Sequence, residues 1–188
     1  SYSRDENVAD AWALGRLMGA LDGLPKPTIA KVQGPAYGGG VGLVACCDMA
    51  VASNTAVFSL SEVKLGLIPA VISPYVIAAI GVRAARRYFL TAERFDAADA
   101  FRLGLVHAVV PADELEATTG AIVAALSQGG PNAIAECKSL IRRVASNPMD
   151  ERMVSETVER IATVRATEEA REGVAAFLEK REPRWRSR

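Results

Sequence analysis

Five glycines in the run Gln33–Leu43 (Gly34, Gly38, Gly39, Gly40 and Gly42) and a carboxylate at Glu62 are the residues of this chain best suited to chemistry. Glycine lets backbone approach a ligand closely and adopt positive φ. A helix start leaves amide N–H groups unpaired and slightly positive. A glycine turn feeding a helix therefore suits negative charge, either a phosphate or an oxyanion that develops during a reaction. Two familiar glycine motifs do not fit. Gly38, Gly39 and Gly40 are consecutive, which breaks the spacing of a dinucleotide fingerprint. Glu62, the acidic residue at the required distance, does not read as the end of a second parallel strand. A P-loop needs Gly-Lys-Ser/Thr, and no Lys follows Gly40. A plain strand-to-helix turn is the alternative.

Glu62 is the best acid/base candidate. Phe58, Leu60, Val63 and Leu65 surround it in sequence, and apolar neighbours favour a carboxyl group that exchanges protons near neutral pH. The competing reading is a surface carboxylate beside Lys64. His107 reads as structural, on a short strand far from the loop. The adjacent Cys46 and Cys47, with a third cysteine at 137, suit reduced, buried, small apolar residues rather than disulfides. That usage fits a reducing cytoplasm. No Cys/His spacing suggests a metal.

These residues need elements to position them. Thr28–Val32 and Met49–Ala52 are short apolar runs, expected as neighbouring buried strands around the glycine turn and a helix over Leu43–Cys47. Ahead of them, Asn7–Leu21 has a helical period, with Asp5 or Asn7 as cap. Beyond them, Tyr75–Ile80 is expected as a helix stopped by Gly81, followed by helices over Ala84–Leu90 and Ala97–Leu103, the last stopped by Gly104. Val106–Val110 reads as a strand. From Asp113 the chain reads as helical: Asp113–Leu126, Asn132–Val144 after Pro131, Met149–Val164 and Glu168–Glu179. With 188 residues, half of them hydrophobic, one domain with a sizeable core is the expectation. Lys+Arg and Asp+Glu both number 22, so there is no global basic field for nucleic acid. No apolar run is long enough for a membrane span.

The chain resembles the enoyl-CoA hydratase/isomerase (crotonase) superfamily. Residues that carry the resemblance are Gly38-Gly39-Gly40, Cys47-Asp48-Met49, Phe58 with Glu62, Leu65-Gly66-Leu67-Ile68-Pro69, Leu90–Ala97, Gly104-Leu105-Val106 and Glu172–Arg181. The fold it implies is α/β: a β-β-α superhelix over 1–110, then an α-helical trimerisation and CoA-covering region over 111–188. Family members are longer at the N-terminus, where another segment supplies the first oxyanion-hole amide, and Ser1-Tyr2-Ser3-Arg4 resembles the sequence just after it.

By this resemblance Gly39 N–H is the second oxyanion donor and Glu62 the family's second catalytic glutamate. Gly38, Gly40, Gly42, Tyr37 and Val71 are expected to line the substrate. Lys180 falls on a lysine for the CoA phosphate, and Ile161 on an adenine-contacting position, with helical core packing as its other role. Lys180, Arg181, Arg184, Arg186 and Arg188 form a basic cluster, either a phosphate-facing edge or a solvated tail. One departure stands out: the hydratases' first glutamate falls on Gly42. A narrower resemblance links Gly38–Asp48 and Ile68–Tyr75 to bacterial methylglutaconyl-CoA and isohexenylglutaconyl-CoA (γ-carboxygeranoyl-CoA) hydratases. The resemblance implies a cytoplasmic homotrimer or hexamer acting on an acyl-CoA thioester, with no cofactor or metal and neither nucleic acid nor membrane as partner. A double-bond isomerase, or a non-catalytic CoA-ester or RNA-binding homologue, are its alternatives.

Overall fold

A computed structural model of the chain describes residues 3–187. Arg188 of the basic cluster, and Ser1 and Tyr2, lie outside the described residues. Helix α1 (Arg4–Gly23) begins earlier than its apolar period because Ser3 and Glu6 form a reciprocal capping box. Neither Asp5 nor Asn7 is the cap. Strand β1 (Ile29–Val32) leads through β2 (Ala36–Tyr37) into α2 (Gly39–Cys46) and back through β3 (Met49–Ser53). Then follow β4 (Val57–Ser59), a 3-10 turn at Glu62–Leu65, α3 (Ser73–Thr91), β5 (Phe95–Asp96), α4 (Ala97–Leu103), β6 (Ala108–Val110) and α5 (Leu115–Leu126). The last elements are α6 (Pro131–Ala145), α7 (Glu151–Arg165) and α8 (Glu168–Leu178). Among the described residues no helix is long and apolar enough to cross a membrane.

The chain packs as two units. One comprises the chain up to Leu24 with Thr28–Gly120; the other comprises Pro25–Pro27 with the chain from Ala121 onward. The division falls inside α5, beyond the boundary expected at residue 110.

In the first unit, two three-stranded sheets account for the βα turns. One is parallel, ordered β1-β3-β6; the other is ordered β2-β4-β5, with β2 and β4 parallel and β5 antiparallel to β4. Asp48 ties the starts of β1 and β3 together by accepting from the Thr28 amide at 2.7 Å and the Thr28 hydroxyl at 3.0 Å. His107 has the structural role expected of it: its Nδ1 accepts from the Ala50 amide, and its own amide donates to the Ala50 carbonyl. Phe58 stacks on Phe95 with centroids 5.5 Å apart, and Tyr88 lies 4.4 Å from Phe95. Such contacts contribute about 1 kcal/mol each beyond burial. Gly81 (φ +74, ψ 162) breaks α3 where a stop was expected, and Gly104 (φ +87) ends α4.

Cys46 is buried, with its Sγ 3.4 Å from Met18 Sδ, and desolvation pushes its thiol up to about 12. Cys47 is half-buried and Cys137 exposed, so the expectation of burial holds for Cys46 alone.

The second unit is held by polar links between helices. Glu169 of α8 caps α6 by accepting from the Asn132 and Ala133 amides, a role that Gly130 at the N-cap cannot fill with a side chain. Arg143 of α6 binds Glu156 of α7 through both Nε and Nη2. Glu172 accepts from Arg181 and from the Arg184 amide, and these bonds hold its carboxyl down to about 2.

Candidate active site

The glycine turn is built around one residue. Gly38 adopts φ +50, ψ −116, a conformation that strongly favours glycine. Its amide donates to the Ser59 carbonyl at 2.9 Å, continuing the β2–β4 ladder past Tyr37. Its carbonyl accepts from the Val41 amide at 2.9 Å and the Gly42 amide at 3.2 Å, closing the first turn of α2. The Gly39 and Gly40 amides are left without an acceptor among the described residues. Helix α2 thus begins at Gly39 rather than Leu43, and its free donors fall on the glycines expected to hold negative charge. A methyl group built on Gly39 meets nothing within 4 Å, so its α-carbon borders open space.

The bond from Gly38 to Ser59 also places the carboxylate. Ser59 ends β4, and Glu62 opens the 3-10 turn that follows. The Leu67 amide donates to the Glu62 carbonyl and the Gly66 amide to the Val63 carbonyl, with Gly66 at φ +72, so the turn is fixed from behind. The Glu62 side chain reaches back to the glycines: Oε1 lies 2.9 Å from where a Gly38 Cβ would stand. Oε2 is buried with no hydrogen-bond partner among the described residues. Such a group costs about 1–3 kcal/mol, so the fold tolerates it at some expense. A parallel strand does precede Glu62 after all, because β4 pairs with β2. Phe58 and Leu60 are fully buried nearby, but Leu65 is 74% exposed and does not line the carboxylate as its position suggested.

What flanks Gly42 settles its role in the packing. A Cβ there would lie 2.3 Å from Ile72 Cγ2, 2.8 Å from Ile72 Cβ and 3.1 Å from Met18 Cε. Gly42 is buried beneath α1 and the start of α3. It was expected to line the substrate; here the hydrogen at its α-carbon makes room for Ile72. We expect Gly42→Ala to destabilise the fold by about 1–3 kcal/mol through overpacking, despite alanine's better helix propensity. Ile72→Ala in the same chain relieves the clash, so thermal or urea melts of the double variant should show less than the summed loss. Strict additivity would refute the contact.

These features make one arrangement: two unengaged main-chain donors at a helix start, with a partly buried carboxyl group against the adjoining residue. It can hold a developing oxyanion and exchange a proton near it. Residues 6–188 match the sequence model of the enoyl-CoA hydratase/isomerase family. The chain belongs to that family. Among enoyl-CoA hydratase relatives, ACTT6 of Alternaria alternata is 42% identical over 166 residues, 88% of this chain and 55% of the relative. The probable enoyl-CoA hydratase echA8 of Mycobacterium tuberculosis is 39% identical over 171 residues, 90% of this chain and 66% of the relative. A crystal structure of an enoyl-CoA hydratase from Shewanella pealeana superposes with a TM-score of 0.95 at 50% identity, covering 98% of this chain and 69% of that one. The chain thus spans about half the length of the Alternaria relative and two thirds of the others. Its architecture is the enoyl-CoA hydratase/isomerase fold, in agreement with the α/β expectation.

The remaining family positions are distributed as follows. Gly40 packs lightly on Ala36, its would-be Cβ 3.7 Å from the Ala36 Cβ. Tyr37 is 41% exposed, with the Arg94 guanidinium 5.6 Å from its ring centroid. Val71 is half-buried and faces α1 near Gly15. Ile161 and Lys180 lie in the helical unit. Ile161 is half exposed among the described residues. Lys180 is exposed, with φ +53, in the left-handed region that few residues other than glycine adopt. Arg181 and Arg184 pair with Glu172, and Arg186 with Glu182, so much of the basic cluster is neutralised locally. The sequence marked Ile72 as a bulky residue of the acyl pocket and Met18 as an apolar helix position, but not that both pack over Gly42. Nothing local marks a residue whose importance is to fill the space above a glycine.

Proposed function

We propose that this chain supplies the acid/base carboxylate and one oxyanion donor of an enoyl-CoA hydratase. The observation that carries the reading is the Glu62 carboxyl lying against Gly38, next to the free Gly39 and Gly40 amides. Glu62 as carboxylate takes a proton from water while the water oxygen bonds to the β-carbon. The electron pair of the double bond moves onto the thioester oxygen, where the Gly39 amide stabilises it. Glu62 then returns the proton to the α-carbon, so one water is added and the carboxylate is restored. No cofactor enters this sequence, and coenzyme A belongs to the substrate. The names of the relatives support the hydratase reading.

A branched glutaconyl-type acyl chain, as in leucine or acyclic-terpene breakdown, is the substrate class we favour. It rests on the resemblance over Ile68–Tyr75 and on the bulk of Val71 and Ile72 beside α1. Lys180 and Ile161 are the proposed CoA contacts in the helical unit. A homotrimer or hexamer in the cytoplasm completes the reading. Support for assembly with further copies comes from exposed Val154, Val158 and Ile161, which follow one helical face of α7, and from Phe177 and Leu178 on α8.

One observation favours a second reading. Ile72 fills the space beside Gly42, so among the described residues no second carboxylate stands there to share a water. A site with one carboxylate suits a double-bond isomerase, in which Glu62 moves a proton between two carbons and no water is added. Turnover of crotonyl-, 3-methylglutaconyl- and isohexenylglutaconyl-CoA by the intact protein separates the two. Hydration removes the ultraviolet absorbance of the conjugated enoyl thioester and yields a hydroxyacyl product. Unchanged conjugated thioesters, with a non-conjugated enoyl-CoA converted, would establish the isomerase instead.

A further inference from the structure

Part of the first unit takes no role in the chemistry above. Past the break at Gly81, α3 carries Arg83, Arg86 and Arg87, and α4 presents Arg102 across from them. These four side chains border a cleft of about 620 Å³ whose apolar surface includes Ile80 and Leu103. That volume lies in the range of small-molecule sites. Two of the guanidiniums are engaged: Arg87 binds Glu93 and lies 5.2 Å from the Tyr88 ring centroid, and Arg102 binds Asp99. Arg83 and Arg86 are exposed and pair with no carboxylate among the described residues. Four positive charges thus face two negative ones around a concavity in a chain whose net charge is zero.

We propose that this cleft binds a phosphate-bearing small molecule, with Arg83 and Arg86 as the anion ligands. The planar guanidinium fork matches phosphate oxygens and is charged at all working pH values. Half-buried Leu103 and the aliphatic stems of the arginines offer an apolar surface to the body of the ligand, which favours a nucleotide over a bare anion. The free nucleotide and the nucleotide portion of coenzyme A share this chemistry, and the experiment separates them.

Calorimetric titrations of the intact protein with ADP, inorganic pyrophosphate and coenzyme A test the site. Saturable binding of ADP is expected, with pyrophosphate weaker, and raised salt should loosen both because the site is open. In Arg83→Ala/Arg86→Ala the ADP dissociation constant should rise about tenfold or more, for loss of two charge-assisted contacts at an exposed site. Both residues are exposed, so the variant should keep the wild-type melting temperature. Coenzyme A weakened in parallel with ADP makes the cleft a seat for the substrate's own nucleotide; coenzyme A unaffected makes it a separate nucleotide site. Either result supports phosphate binding at this cleft. Wild-type protein that fails to saturate with ADP, or a double variant that binds it as tightly, overturns the proposal.

Discussion

Glu62→Gln lowers kcat by about a hundredfold or more, the usual contribution of a positioned general acid/base. The amide keeps the shape of the side chain but can neither take a proton from water nor return one to carbon. Binding of an unreactive acyl-CoA analogue should persist, because no contact with the CoA moiety is assigned to Glu62. Stability should not fall. The buried, unpartnered Oε2 is a cost to the folded state, so a neutral group in its place leaves the melting temperature equal or higher. Parallel kcat, binding and thermal-melt measurements separate these effects. Full turnover in the variant would remove Glu62 from the chemistry and, with it, the reading of this site as a hydratase.

Gly38→Ala is the second large effect. Its backbone at φ +50, ψ −116 is strained for any residue with a Cβ, at a cost of about 1–3 kcal/mol. The new methyl group would stand 2.9 Å from Glu62 Oε1. Backbone is held there by bonds to Ser59, Val41 and Gly42, whereas a carboxylate is the mobile end of a side chain. The carboxylate therefore yields, and a displacement of about 1 Å can reduce kcat a hundredfold. Gly39→Ala is the control: nothing lies within 4 Å of its would-be Cβ, and the melting temperature should hold. Similar kcat in wild type and Gly38→Ala would mean that Glu62 is not held against this turn during turnover.

Much of the fold was legible in the residues, for local reasons. Ala97–Leu103 matched α4 because Asp96 caps its start and Gly104 takes the left-handed conformation at its end. The break at Gly81 and the strands β1 and β3 followed from glycine placement and apolar runs. By contrast β2, β4 and β5 were not seen. Two or three residues carry no period, and their pairing is a long-range property. The start of α2 was read four residues too late, because three of the first four helical residues are glycines, which are poor helix formers. Packing by Met18 and Ile72 on that helix overrides propensity. At the site, resemblance pointed to Glu62 and Gly39, which the fold brings to one turn. What occupies the space beside Gly42 was not, since it depends on the fit of one side chain from a distant part of the chain.

The interlock of Gly42 with Ile72 also bears on how such a site changes over generations. A side chain gained at position 42 while isoleucine stands at 72 overpacks the contact. A residue at 72 that shrinks first leaves a gap instead. Descendants of this chain that acquire a second carboxylate at position 42 therefore pass through a less stable ancestor, whichever of the two steps comes first.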